Sequence, residues 1–204
     1  MAVEGATDEP FAMRLLVGLG FEVSAVHGRH GKQHIDKHIG SYNAAAHFSC
    51  WLVLRDLDHD AACVGGLVEN LLPTPAIGMR FRIVVRTIEA WLLADRMGVA
   101  KFFRVANHKI PNSPDELSVP KRSLVDLARH STSRLVREAM IPVKGSTARV
   151  GPGYEGTIAE FAAHWSWESA SVNSPSLRRC IAALATLADP SALAAPSKRR
   201  TRTK

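Results

Sequence analysis

A run of carboxylates follows one apolar stretch of the sequence, WLVLRDLDHD at residues 51–60. Its first half predicts a strand buried on both faces, and its end places an acidic residue at every second position: Asp56, Asp58 and Asp60. Like charges held this close repel one another and resist burial, so we expect a cation among them. In extended backbone, residues two apart face the same way. Asp56 and Asp58 can therefore offer oxygens to one Mg²⁺ or Mn²⁺ ion while Leu57 points into the core.

The elements that would position these side chains alternate between strand and helix. Apolar spacing predicts strands at residues 1–3, 21–26, 50–56 and 80–86, and helices at 8–20, 34–46, 61–72 and 87–98. In the first helix, Thr7 and Asp8 are expected to act as caps. Strands that alternate with helices pair in parallel through right-handed crossovers. The pattern indicates an α/β fold, with a parallel sheet covered by helices on both faces.

Acidic residues recur where these strands end. Glu4 follows the first strand, Asp56 and Asp58 lie at the end of the third, and Glu89 follows the fourth. Ligands of open parallel sheets bind outside the carboxyl ends of the strands, so the sequence predicts that these side chains share one edge. Each also has an ordinary explanation. An Asp-x-Asp at a strand end can form a turn, with Asp60 as the next helix cap, and Glu89 can favour the dipole of the helix that it opens.

The second half of the chain has a different character. After about Met97 the sequence reads as helices and loops, which suggests an α/β catalytic domain at residues 1–97 and a helical C-terminal region at 98–190. The net charge of +7 falls to +2 without the five cations of the terminal SKRRTRTK. Residues 191–204 are therefore predicted to be a disordered basic tail, and the remainder is close to electrically balanced.

Two short motifs carry a resemblance to a known fold. VEGATDEP and VLRDLDHD resemble the strand-end Glu-Gly and the later Asp-x-Asp of the Toprim fold of topoisomerases, primases and OLD-type nucleases. Over residues 1 to about 188, the chain also resembles a bacterial Toprim-like family, with RIVVRTIEAWLLAD, VGPGYEG and SPSLRRC as further similar stretches. The resemblance implies a Rossmann-like sheet, Glu4 as general acid or base, and Asp56, Asp58 and Glu89 as Mg²⁺ (or Mn²⁺) ligands. The first strand is short for a central strand, which leaves the placement of Glu4 open.

Positive side chains near these motifs are candidates to bind substrate phosphates, although for any single one of them an ordinary solvated cation is the favoured interpretation. They are Lys32, Arg55, Arg86, Lys144 and Arg149. A histidine pair, His34 and His38, is spaced one helical turn apart and could bind zinc, but no third ligand has suitable spacing nearby. We expect structural or surface roles for these histidines.

Three functional hypotheses follow from the acidic cluster. The first is a Mg²⁺-dependent nuclease acting on nucleic acid, with DNA favoured over RNA. For this hypothesis the resemblance implies an ABC- or SMC-type ATPase partner in phage defence. The second is a non-catalytic subunit that binds nucleic acid or a partner and keeps a structural Mg²⁺ site. The third is phosphotransfer on a small nucleotide. Cysteines without CxxC spacing, and the lack of an apolar leader or membrane-length run, predict a cytoplasmic protein without membrane attachment.

Overall fold

The computed structural model describes residues 1–60 and 64–187. The strands are β1 (Ala2–Val3), β2 (His27–Gly28), β3 (Trp51–Asp56) and β4 (Met79–Val84). The helices are α1 (Asp8–Gly18), α2 (Lys32–Ala45), α3 (Val64–Leu71), α4 (Ile88–Ala94), α5 (Arg96–Phe103), α6 (Pro120–Ala128), α7 (Arg134–Met140), α8 (Tyr154–Ala162), α9 (Trp167–Asn173) and α10 (Pro175–Ala185). Two 3₁₀ turns, Asn107–Lys109 and Pro114–Glu116, lie between α5 and α6.

The sheet is parallel throughout and has the strand order β2-β1-β3-β4. This arrangement confirms the predicted α/β fold, which is Rossmann-like. The two shortest strands are β1 and β2. Strand β1 is central, because Ala2 pairs with both His27 and Val53, and β2 lies at one edge of the sheet. Both residues of β1 are fully buried. A central strand of two residues is thus sufficient to bring Glu4 to the carboxyl edge of the sheet.

The predicted strand at residues 21–26 is wrong, because strand pairing begins only at His27. The reason is the length of its partner: β1 offers two residues to pair with, so the ladder with β2 cannot be longer. Gly28 has a φ of +88°, and a Cβ there would lie 2.1 Å from the Val3 carbonyl oxygen. Only glycine permits this close approach of the two strands.

Hydrophobic cores lie on both faces of the sheet, as predicted. On one face, α2 and α3 pack on the sheet around Ile35, Ile39 and Val53. On the other face, α1 and α4 pack through Phe11 and Trp91 into a larger core that includes the helices of the C-terminal half. Alternation along β3 divides its side chains between the faces, with Leu54 in the larger core and Val53 in the smaller one.

The predicted helix at 87–98 is two helices that meet at the buried Asp95. The Asp95 carboxylate accepts from the N–H of Gly98 at 3.1 Å, which starts α5, and from the N–H of Ser166 at 3.0 Å.

The larger core runs across residue 97 without interruption. The division at that residue stays a prediction, and the predicted tail, 191–204, lies outside the described residues. No helix in the described ranges is long and apolar enough to cross a membrane.

Candidate functional site

The carboxyl ends of the parallel strands open into a cleft of about 420 Å³. Its acidic residues are Glu4, Asp8, Asp56, Asp58 and Glu89. Its lysine and arginine residues are Arg86, Lys121 and Arg149. The structure thus brings together all four acidic residues that the sequence singled out. Their roles as catalyst and ligands stay predictions.

Asp56 is the last residue of β3 and lines the cleft. The hydrogen bonds that it makes within the described chain involve its backbone: its N–H donates to Glu4 Oε2 at 3.0 Å, and its carbonyl accepts from Arg55 at 2.8 Å. Burial raises the pKa of its carboxyl well above the ordinary value, and the neighbouring carboxylates, Asp8 first, raise it further. Its side chain is therefore a carboxylate in need of a proton or a cation.

Glu4 and Asp8 lie at the two ends of the turn between β1 and α1. Burial raises the pKa of Glu4, against the lowering effect of the Asp56 N–H. The Asp8 carboxylate is buried and accepts from the N–H of Gly5 at 2.7 Å, outside the helix that it was expected to cap. Burial raises the pKa of Asp8 to about 7, and the charges of Glu89 and Glu4 contribute. Asp8 was not predicted as a site residue, because an acidic residue at a helix start is usually a cap.

Glu89 lies in the first turn of α4 with 3% of its surface exposed. Its Oε1 accepts from the Tyr154 hydroxyl at 3.0 Å, and its Oε2 accepts from Thr87 Oγ1 at 2.6 Å. Lys121 Nζ lies 3.3 Å from Oε1. Burial raises the pKa of Tyr154, and the charge of Glu89 adds to it, so the phenol stays protonated as a donor. Glu89 is therefore held in place by several partners, unlike Asp56.

The backbone at Asp58 differs from the expectation. It has a φ of +48°, in the left-handed region, so the extended geometry that predicted a shared orientation with Asp56 ends at the strand. The Asp58 carboxylate lies 3.0 Å from Lys32 Nζ, and its carbonyl accepts from Arg86 at 2.8 Å. Lys32 also contacts Asp60 at 2.7 Å. An ammonium group already neutralises Asp58 at the rim of the cleft.

Arg55 does not line the cleft, so its contacts give no support to the phosphate-binding role, which stays a prediction. Its guanidinium donates to Asp36 at 2.7 and 3.0 Å and to Asp60 at 2.8 Å, and 3% of the residue is exposed. Strand alternation directs it to the opposite face from Asp56, towards α2. The hydrogen bond to Asp36 is the main cause that raises the pKa of Arg55. Arg55 therefore stabilises the loop after β3.

The remaining predicted cations fall into two groups. Arg86 and Arg149 line the cleft, as a phosphate-binding role requires. Lys32 is engaged by Asp58 and Asp60, and Lys144 is exposed in a loop that does not contribute its side chain to the cleft. Lys121 was not predicted as a site residue, because nothing in the local pattern of α6 indicates that the first turn of this helix reaches the strand ends.

The donors of the cleft suit a hard divalent cation in their chemistry. They are carboxylate oxygens, and their mutual repulsion and burial would be relieved by positive charge. Among residues 1–60 and 64–187, however, no three His, Cys, Asp or Glu side chains are spaced to hold a metal ion together. The same finding applies to the histidine pair His34 and His38, whose rings stack with their centroids 4.0 Å apart. Mg²⁺ often uses only one or two carboxylates and keeps several waters, so the cleft fits that ion better than zinc.

Comparisons with known proteins do not assign the chain to a family. No family model, curated protein or solved structure matches the chain. The chemistry of the cleft therefore carries the functional conclusion.

Proposed function

We propose that the protein is a Mg²⁺-dependent nuclease, which hydrolyses phosphodiester bonds of nucleic acid in the cleft at the carboxyl edge of the sheet. The observation that carries the proposal is the Asp56 carboxyl. It is partly buried among four other carboxylates that line the cleft, and its hydrogen bonds within the described chain involve only its backbone. Holding a partly desolvated acid beside like charges costs free energy, and a bound cation would offset that cost.

Asp56 would hold the ion, and Glu4 and Asp8 line the same cleft beside it. When bound, Mg²⁺ lowers the pKa of water and neutralises charge on a phosphate oxygen. Glu4 would take up the proton of the attacking water, since its raised pKa makes it a better base than an ordinary glutamate. Its position is fixed by the Asp56 N–H.

Cationic side chains around the acidic centre support a phosphate substrate. Arg86, Lys121 and Arg149 line the same cleft, and Lys121 is about half exposed. Guanidinium groups bind phosphate oxygens through paired hydrogen bonds and so position the backbone without reading its sequence. This combination of an acidic centre with a cationic wall favours a phosphodiester over an uncharged substrate.

The Lys32–Asp58 ion pair favours a second candidate, a binding subunit with a structural Mg²⁺ site. Lys32 Nζ contacts both Asp58 and Asp60, and these contacts raise the pKa of the lysine, so its ammonium charge is retained. A lysine that replaces one cation at the site would leave room for a single ion. Binding without hydrolysis is the behaviour expected of that arrangement.

Cleavage assays separate the two candidates. Supercoiled plasmid and labelled single-stranded DNA and RNA are incubated with the full chain in Mg²⁺, in Mn²⁺ or in chelator. We expect nicking that requires the metal and is abolished in Asp56→Asn, whose fold is verified by thermal melting. The control is Glu138→Gln, an exposed acid on α7 that does not line the cleft and should retain wild-type activity. Metal-dependent stabilisation with no cleavage of any substrate would favour the binding subunit.

A further inference from the structure

A second cavity adjoins the cleft. It has a volume of about 530 Å³ and lies between α6 and the loop at residues 141–149. The two cavities share Val119, Lys121 and Arg149 in their linings, so they lie side by side. We call the second cavity the α6 groove. Its volume is within the range of about 300–1,000 Å³ that is typical of ligand sites.

Cations dominate the charged side chains of the α6 groove. They are Lys121, Arg122, Arg129 and Arg149, against the single carboxylate of Asp126. Asp126 lies 3.7 Å from Arg122 and 3.4 Å from Arg129. The side chains of these two arginines are 80% and 53% exposed, so each keeps donors directed to solvent. The groove is thus positive where the adjoining cleft is negative.

Apolar side chains form the rest of the α6 groove. Val125 is buried with 3% of its surface exposed, and Val119, Pro142 and Ala148 line the cavity with it. An apolar surface beside arginines is suited to a planar ring that carries a phosphate, since the ring loses contact with water while the phosphate is paired. A nucleotide has both parts, whereas an acidic peptide lacks the ring and a lipid surface is too large to enter.

We propose that the α6 groove binds a nucleotide of single-stranded nucleic acid, next to the phosphodiester held in the cleft. The inference rests on the proposed function and names its substrate class. A single strand is required because a base must leave its stack to reach the apolar side chains. Arg122 and Arg129 bind the phosphates of that strand, and Lys121 and Arg149 hold the junction between groove and cleft.

Binding is measured without cleavage, by fluorescence anisotropy of a fluorescein-labelled oligothymidylate in EDTA. Arg122→Ala is compared with Arg134→Ala, which is a matched control: both arginines are about 80% exposed, and each pairs with a carboxylate four residues later, but only Arg122 lines the groove. We expect Arg122→Ala to weaken binding about threefold to tenfold and to reduce the slope of log K against log salt by about 0.7. Arg134→Ala should match wild type. Equal effects of the two substitutions would overturn the proposal.

Three further ligands test the occupant. The same oligonucleotide with abasic sites should bind several-fold more weakly, because it lacks the ring. A duplex of the same length should also bind more weakly, and thymidine monophosphate should compete only at much higher concentration. Abasic or duplex DNA that binds as tightly as the single strand would exclude a base in the groove. Competition by the mononucleotide at the concentration of the oligonucleotide would assign the groove to free nucleotides instead.

The nuclease proposal and the proposal for the α6 groove can be refuted independently of each other. If the oligonucleotide binds as expected but no metal supports cleavage, the nuclease proposal is lost and the α6 groove is retained. If DNA is cleaved but Arg122→Ala binds like wild type, the nuclease proposal is retained and the groove is lost.

Discussion

Replacing Asp8 by asparagine should stabilise the metal-free protein, and the gain should depend on pH. The pKa of Asp8 is raised from 3.8 to about 7 by burial and by the nearby carboxylates Glu89 and Glu4. A carboxyl group with a raised pKa in the folded state binds its proton more tightly there than in the unfolded chain. Its contribution is therefore present in full below about pH 4 and is lost as the pH rises through about 7. Asparagine has nearly the same shape and is neutral throughout this range.

The size of the effect follows from the two pKa values. At about 1.4 kcal/mol for each pKa unit, the difference between 3.8 and about 7 corresponds to about 4 kcal/mol above pH 8. For a chain of this length such a gain in the free energy of unfolding raises Tm by about 10 °C. The amide oxygen of the new side chain can still accept from the N–H of Gly5, so the turn after β1 is preserved.

Urea unfolding of wild type and Asp8→Asn, followed by circular dichroism in EDTA, measures this difference from about pH 4 to about pH 9. The two proteins should agree near pH 4 and diverge towards pH 8, with the variant more stable. Glu138→Gln changes an exposed acid and should follow wild type within about 1 kcal/mol at every pH. A variant that is less stable than wild type at pH 8, or equally shifted at both ends of the range, would refute the account of a strained carboxyl.

Three other outcomes follow from the site. Millimolar Mg²⁺ at about pH 8 should raise the Tm of wild type in a fluorimetric melt, because binding adds about 2.7 kcal/mol to the free energy of unfolding at about 100 times Kd. Asp56→Asn should lose most of this gain. Equal gains in the two proteins would show that Asp56 is not a ligand. Lys32→Met should lower the free energy of unfolding by less than about 1 kcal/mol, because the ion pairs of Lys32 are partly exposed. The substitution frees Asp58, so the midpoint of a Mg²⁺ titration should move to lower concentration. An unchanged midpoint would show that Lys32 does not compete with the ion. Arg55→Ala should lower the urea-derived free energy of unfolding by about 3 kcal/mol, because it leaves two carboxylates without their buried partner. The exposed control Arg134→Ala should lose less than about 1 kcal/mol. A similarly small loss for Arg55→Ala would contradict the role of Arg55 in stabilising the loop after β3.

The acidic edge of the sheet could be predicted because it follows from repeated local rules. Strands that alternate with helices pair in parallel, and parallel strands end on one side. Glu4, Asp56 and Glu89 each lie at or shortly after the end of a strand, so their meeting in one cleft required no knowledge of distant contacts. The same rule of alternation would have placed Arg55 on the opposite face from Asp56, but its position beside the Asp pair in the sequence suggested a shared role.

Features that depend on distant partners could not be predicted in this way. The apolar residues 21–26 have the composition of a strand, yet pairing starts at His27 because β1 is short. Lys121 reaches the cleft through the packing of α6 against α4, which no local pattern encodes. The break at Asp95 did have a local signal, an aspartate three residues before a glycine, in the spacing of a helix cap.

The burial of α4 ties the acidic cleft to the helical half of the chain. All seven residues of this helix, Glu89 among them, are buried, and it packs against α6 and α9 as well as against the rest of the larger core. A fragment ending at residue 97 would expose an apolar surface around Trp91 and leave Glu89 without Tyr154 and Lys121. Grafting or evolutionary reuse of this acidic centre therefore requires the helical half to travel with the sheet.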